Sequence, residues 1–229
     1  MWNTFDFRFI SGPLLLCGFL LQMSAADLKP GVCDAFEWIP MVQDSTFRAD
    51  WAGKRTGILA PLNIPLILAG NFGELRTDHF HTGLDFKTQG KEGFPVLAAS
   101  DGVVSRVKIS PFGYGRALYL SGSKDLTTVY AHLQRFAPAI EQWALDEQYD
   151  HKRFAVDERP IQSFVYCQGD TIGWSGNSGG SGGPHLHFEI RETITQKPLN
   201  PLLWDLPVTD HRAPELQGVW LLPTEIGSI

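Results

Sequence analysis

The chain has 229 residues, of which 43% are hydrophobic and 19% are charged, so it can build one large domain or one domain with extensions. This composition excludes an intrinsically disordered protein. The net charge of -6 at pH 7 and the absence of a lysine/arginine run argue against nucleic acid as a partner.

Residues 1–26 have the features of a secretory signal peptide. Arg8 precedes an apolar run at 9–23, and small residues ending at Ala26 provide a cleavage site. The run is short for a membrane span, which needs about 20 residues. We therefore expect cleavage after Ala26, export, and no membrane contact apart from this segment. An uncleaved anchor is the alternative, and a lipoprotein signal at Cys17 is disfavoured because a leucine precedes it.

Two cysteines, Cys33 and Cys167, remain after this cleavage. Export permits disulfide bonds, and the residues leave two alternatives open, a disulfide between these cysteines or two free thiols. Their spacing is not that of a metal site.

Residues 27–60 form an approach segment without a clear hydrophobic period. Beyond it, short β-branched and apolar runs alternate with glycine, proline and Asp-Gly turn signals. The run at 61–70 contains prolines and therefore suits the edge of a sheet. This pattern predicts a mainly β fold, an antiparallel β-sheet or sandwich. The expected strands are 61–70, 103–109, 116–120, 126–133, 165–167 and 171–174.

One segment, 137–148, changes from the strand period to the helical one. Ile140, Trp143 and Ala144 recur there at helical spacing, which predicts a single amphipathic helix inserted among the strands. The charged stretch 150–160 that follows is expected to be a loop.

The end of the chain differs from the rest. Residues 200–204 are expected to close the domain, and 216–222 form a fresh apolar strand after a linker-like stretch. A single strand cannot bury both of its faces. We therefore expect 206–229 to be a linker and the start of a further module, in a chain that is a fragment of a longer polypeptide.

The stretch 176–190 carries the strongest chemical signal. A glycine-rich loop leads directly into a short apolar strand with His185 and His187. Side chains two residues apart on a strand share a face, so the two imidazoles point the same way, with Leu186 and Phe188 buried behind them. This pattern indicates a metal or catalytic site. The loop lacks the lysine and helix start of a phosphate-binding loop, so phosphate is not expected there.

Two places in the sequence can supply partners for these imidazoles. His81 and Asp85 lie four residues apart with a glycine between them, and His132 lies on an expected strand. Imidazole and carboxylate ligands suit Zn²⁺, and three protein ligands leave one position for water. His79, two residues before His81, is a rival ligand.

The remaining polar candidates have less specific surroundings. His151 and His211 are expected to be solvated. Asn71 and Arg76 either line a groove or have a structural role. Tyr114, between two glycines, either faces the substrate or is a turn residue.

Three motifs occur in a fixed order: His81-x-x-x-Asp85, Tyr130-Ala-His132, and Gly176-Asn-Ser-Gly-x-Ser-x-Gly-Pro-His185-Leu-His187-Phe-Glu189. Together they resemble the lysostaphin-type, LytM-like zinc metallopeptidases of peptidase family M23, over roughly 66–203. The resemblance implies a metallopeptidase domain at 61–205, an antiparallel β fold with a substrate groove walled by loops, and one zinc ion per chain. It also implies His81, Asp85 and His187 as zinc ligands, and His132 and His185 as the catalytic pair.

The activity that follows is hydrolysis of peptide bonds in bacterial peptidoglycan, in the periplasm, the cell envelope or outside the cell. Zinc activates a water molecule, one histidine transfers protons, and the other binds the developing oxyanion. The sequence leaves open which histidine does which, which peptide bond is cut, and the oligomeric state. The alternatives are a non-catalytic wall-binding module or activator of another hydrolase, and the same chemistry on a protein substrate.

Overall fold

The structure is a computed structural model, and it describes residues 57–122, 125–161 and 163–210. The signal segment, most of the approach segment, Cys33, His211 and the strand expected at 216–222 lie outside these residues, so those expectations stay predictions. Cys167 is disulfide-bonded, and its partner is not among the described residues. No helix in the described ranges is both long and apolar enough to cross a bilayer.

Within these ranges the chain forms twelve β-strands, one α-helix and a short 3-10 helix. In chain order they are β1 (Leu68–Gly70), β2 (Leu84–Lys87), β3 (Pro95–Leu97), β4 (Gly102–Ile109), β5 (Arg116–Ser121), β6 (Leu126–Ala131), β7 (Leu133–Phe136), α1 (Pro138–Asp150), β8 (Val156–Glu158), β9 (Val165–Tyr166), β10 (Thr171–Ser175), β11 (His185–Glu192), β12 (Pro198–Leu199) and the 3-10 helix Pro201–Leu203.

The strands form two antiparallel sheets. The larger has the order β1-β2-β11-β6-β5-β4-β8, with β12 also paired to β11 and β9 to β4, and the smaller has the order β3-β10-β7. β11 lies in the middle of the large sheet, between β2 and β6. Of the strand expected at 61–70, only β1 at its end is a strand of this sheet, and it lies at the edge, as the prolines of that run predict. The expected mainly β, antiparallel fold with one inserted helix is confirmed.

The main hydrophobic core lies between the two sheets. Leu186, Phe188 and Ile190 of β11 belong to the same buried cluster as Ile172 of β10 and Phe136 of β7. Each strand of the large sheet therefore turns one set of alternate residues to this core. The alternate residues on the opposite face, with a second, smaller cluster around Tyr119 and Val129, are free to build a polar site.

The helix α1 begins at Pro138. A proline is favourable at this position because the N–H group that it lacks would have no partner within the helix. Ile140 and Ala144 bury the face that the helical period predicts. Arg116 of β5 forms an ion pair with Glu141 and so ties the helix to the large sheet.

Two further sequence expectations are wrong in detail. The single strand expected at 126–133 is divided at His132, whose φ of 58° lies in the left-handed region, so β6 ends and β7 joins the other sheet. The loop expected at 150–160 contains β8, which pairs with β4 and extends the large sheet. Both features depend on partners that are distant in sequence.

Candidate metal centre

The site is built on the polar face of β11. His185, His187, Glu189 and Arg191 alternate with Leu186, Phe188 and Ile190, which are fully buried in the main core. The polar residues therefore share the opposite face of the sheet.

Asp85 reaches the same face from the neighbouring strand β2. Leu84 and Phe86 on either side of it are buried in the core, so the carboxylate points away from the core. In the strand register Asp85 stands directly opposite His187. Directly opposite side chains on antiparallel strands lie close enough to interact.

His81 completes a group of three atoms that could hold a metal ion. His81 Nε2 lies 3.1 Å from Asp85 Oδ1 and 3.0 Å from His187 Nδ1, and the last two atoms lie 2.9 Å apart. The structure therefore brings together the three residues that the sequence suggested as ligands.

The outer atoms of these side chains have partners that fix which atom faces the centre. His81 Nδ1 donates to the carbonyl oxygen of Asn71 at 2.7 Å, and His187 Nε2 donates to Glu189 Oε1 at 2.7 Å. Arg76 donates to the second oxygen of Asp85 at 3.0 Å. The inner nitrogen of each neutral ring carries a lone pair, so three electron-rich atoms converge on one point.

The charges of this cluster are coupled. Burial opposes ionisation of Asp85, but hydrogen bonds from His185, His187 and His81 outweigh it and keep the pKa of the carboxyl well below its usual range. Burial likewise opposes protonation of His187, but Asp85 and Glu189 outweigh it and raise the pKa of that imidazole.

His132 and His185 lie beside this group, with ring centroids 4.6 Å apart. His132 Nδ1 donates to the carbonyl oxygen of Ser178 at 2.8 Å, and His185 Nδ1 donates to that of Gly183 at 2.8 Å. His185 Nε2 lies 3.5 Å from Asp85 Oδ1, at the centre of the site. Burial lowers the pKa of His132 to about 4, so this imidazole is neutral at neutral pH.

The glycine-rich loop holds both of these histidines. Besides its carbonyl, Ser178 uses its hydroxyl to bond the Leu133 carbonyl at 2.8 Å, which anchors the loop beside His132. A Cβ on Gly179 would meet the backbone of Gly115 at 2.3 Å, so only glycine permits this approach, at a φ of 73°. At Gly182, by contrast, a Cβ would meet no atom within 4 Å.

The other sequence candidates take simpler positions. His79 pairs with Asp78 and is exposed, outside the cluster. His151 is exposed beside Glu147 at the end of the helix, as expected for a solvated residue. Tyr114 is half-buried. Its ring stacks on the imidazole of His187, with the ring centroids 5.2 Å apart, so it is more than a turn residue.

Sequence reasoning assigned no role to Ser178, Ser181, Thr82, Glu189 or Arg191. A signal existed for the last two, because they continue the period-two polar pattern of His185 and His187. Both serines are positions of the glycine-rich motif, but their contacts, such as that of Ser181 Oγ with His185 Nδ1 at 3.1 Å, depend on loop geometry that the motif does not contain.

Comparisons with known proteins identify the relatives of this chain. Residues 79–144 match the model of peptidase family M23. The chain is similar to the DD-carboxypeptidase/endopeptidase Mpg of Neisseria meningitidis, with 33% identity over 136 residues, which covers 59% of this chain and 25% of the relative. It is also similar to the peptidoglycan DD-endopeptidase ShyC of Vibrio cholerae, with 32% identity over 127 residues, which covers 56% and 23%.

Among solved structures, the catalytic domain of the antimicrobial peptidase lysostaphin from Staphylococcus simulans is 23% identical, with a TM-score of 0.44, over 58% of this chain and 86% of that one. The family model and the curated relatives support the resemblance of this part of the chain to peptidase family M23. The matching part spans about a quarter of the length of those curated relatives.

Proposed function

We propose that this protein is an exported zinc metalloendopeptidase that hydrolyses peptide bonds of bacterial peptidoglycan. The observation that carries the proposal is the convergence of three lone-pair atoms from His81, Asp85 and His187 beside two further oriented histidines. The names of the relatives, a DD-carboxypeptidase/endopeptidase and a peptidoglycan DD-endopeptidase, support the substrate class.

The donor set fits zinc. Two imidazole nitrogens and one carboxylate oxygen are ligands that zinc prefers, and three protein ligands are typical of a catalytic site. Tetrahedral bonds of about 2.0–2.1 Å place ligand atoms about 3.3 Å apart, and the three atoms here are separated by 2.9 to 3.1 Å. When bound, zinc polarises a carbonyl group and makes a water molecule acidic enough to attack at neutral pH.

Two histidines of the chain, His132 and His185, are placed to transfer protons during the reaction. The Nδ1 atoms of His132 and His185 both donate to backbone carbonyls, so in the neutral rings the Nε2 atoms carry the lone pairs. An Nε2 lone pair can accept the proton of the attacking water and return it to the leaving amine. Once protonated, the same atom can donate to the developing oxyanion. The two histidines can therefore share these tasks.

The full chain, loaded with zinc, should be incubated separately with purified peptidoglycan and with casein, and the released peptides analysed by mass spectrometry. We expect release from peptidoglycan by the natural sequence and by His151→Ala, a matched control at the exposed helix end. His132→Ala and His185→Ala should lose this release. Cleavage of casein alone would contradict the substrate class, and zinc binding without any cleavage would favour the non-catalytic alternative.

A further inference from the structure

Glu189 is a carboxylate that is completely buried, with no exposed surface. Removal of a charged group from water is costly unless opposite charges and hydrogen bonds compensate for it. Such a residue in the middle of a sheet therefore requires a physical reason.

Both oxygens of Glu189 have partners. Oε1 accepts hydrogen bonds from His187 Nε2 at 2.7 Å, from Thr82 Oγ1 at 2.6 Å and from the hydroxyl of Tyr114. Oε2 accepts a hydrogen bond from Arg191 Nε, which places a guanidinium beside the carboxylate. The Glu189 network, defined as Glu189 with Thr82, Tyr114 and Arg191, thus satisfies the buried charge.

The Glu189 network constrains His187 from two directions. The carboxylate accepts a hydrogen bond from Nε2–H, so in the neutral ring Nδ1 is left with its lone pair toward His81 and Asp85. The ring of Tyr114 stacks on the imidazole at an interplanar angle of 29° and stops it from rotating.

The network also joins the ligands to one another. Thr82 lies in the short segment between His81 and Asp85, and its hydroxyl bonds Glu189 on another strand. A Cβ on Gly83 would meet Glu189 Cγ at 2.8 Å, so this segment packs directly on the carboxylate side chain.

On these contacts we propose that Glu189 is a positioning residue for the metal centre. It fixes the tautomer and the ring plane of His187, and its charge makes the imidazole a stronger ligand. This inference rests on the proposed zinc site, and it goes beyond the set of ligands. Carboxylates that bond metal-ligating histidines typically change metal affinity by about 10- to 100-fold when they are removed.

The test compares zinc affinities, measured by competition with a chromophoric chelator, of the natural sequence, Glu189→Gln and Tyr114→Phe. Glu189→Gln keeps the shape of the side chain and an acceptor for His187, and loses the charge. We expect its affinity for zinc to fall about 10- to 100-fold. Tyr114→Phe keeps the stacked ring and removes one donor, so we expect a smaller fall.

Glu141→Gln is the matched control, because Glu141 also forms an ion pair with an arginine, Arg116, but outside the cluster. It should destabilise the chain and leave the affinity for zinc unchanged. With Co²⁺ in place of zinc, the visible absorption of Glu189→Gln should change, whereas that of Glu141→Gln should not.

Two failures are distinguishable. If the natural sequence does not bind zinc, the proposed function is wrong. If it binds zinc and Glu189→Gln binds equally well, the inference about Glu189 is wrong and the proposed function stands. If Glu189→Gln does not fold, Tyr114→Phe decides, and an unchanged affinity in that variant overturns the inference.

Discussion

The backbone at His132 is the sharpest conformational feature of the site. Its φ of 58° divides β6 from β7 and directs the side chain to the metal centre. A residue with a Cβ loses about 1–2 kcal/mol in the left-handed conformation, whereas glycine adopts it freely. In an ordinary strand glycine is about 0.5–1 kcal/mol less stable than alanine. We therefore predict that His132→Gly is more stable than His132→Ala by about 0.5–1 kcal/mol.

Both variants lose the imidazole and its bond to Ser178, so their difference reports on the backbone alone. The free energy of unfolding should be measured by urea denaturation in the presence of a chelator. The matched control is Gln134, an exposed residue of β7. At this position the order of stability of the two variants should reverse, with Gln134→Ala more stable than Gln134→Gly by about 0.5–1 kcal/mol. If alanine were the more stable substitution at both positions, the left-handed constraint at His132 would be refuted.

Two further predictions concern neighbours of the site and of the core. A Cβ on Gly70 would lie 2.4 Å from Asp85 Oδ2, so Gly70→Ala should displace the carboxylate and weaken zinc binding about tenfold or more in calorimetric titration. Gly182→Ala, which meets no atom within 4 Å, should bind zinc as the natural sequence does, and equal affinities for both variants would contradict the packing argument. Tyr130→Phe should lower the free energy of unfolding by about 1–3 kcal/mol in urea, because the buried N–H of Ala99 loses its acceptor. An unchanged value would show that this hydrogen bond does not stabilise the fold.

The sequence predicts the centre of this molecule better than its periphery. His185 and His187 follow the period of a strand, and His81 and Asp85 lie close along the chain, so their placement depends on local geometry. The structure indeed brings His81, Asp85 and His187 within contact distance.

Other features depend on contacts that no local pattern contains. The run at 126–133 has uniform strand character, yet the backbone N–H of His132 bonds the carbonyl of Tyr114 and the strand breaks there. Val156–Glu158 is short and charged, and it becomes a strand because it pairs with β4. Glu189 could have been found from the period-two pattern, but its partners Thr82 and Tyr114 come from distant segments.

The number of zinc ions bound per chain is the measurement that tests the central claim most directly. The purified natural sequence, His81→Ala and His185→Ala should be loaded with zinc, dialysed, and analysed by mass spectrometry for zinc per chain. We predict about one zinc ion per chain for the natural sequence, most of it retained by His185→Ala, and little or none in His81→Ala. An absence of zinc from the natural sequence, or full retention by His81→Ala, would contradict the account.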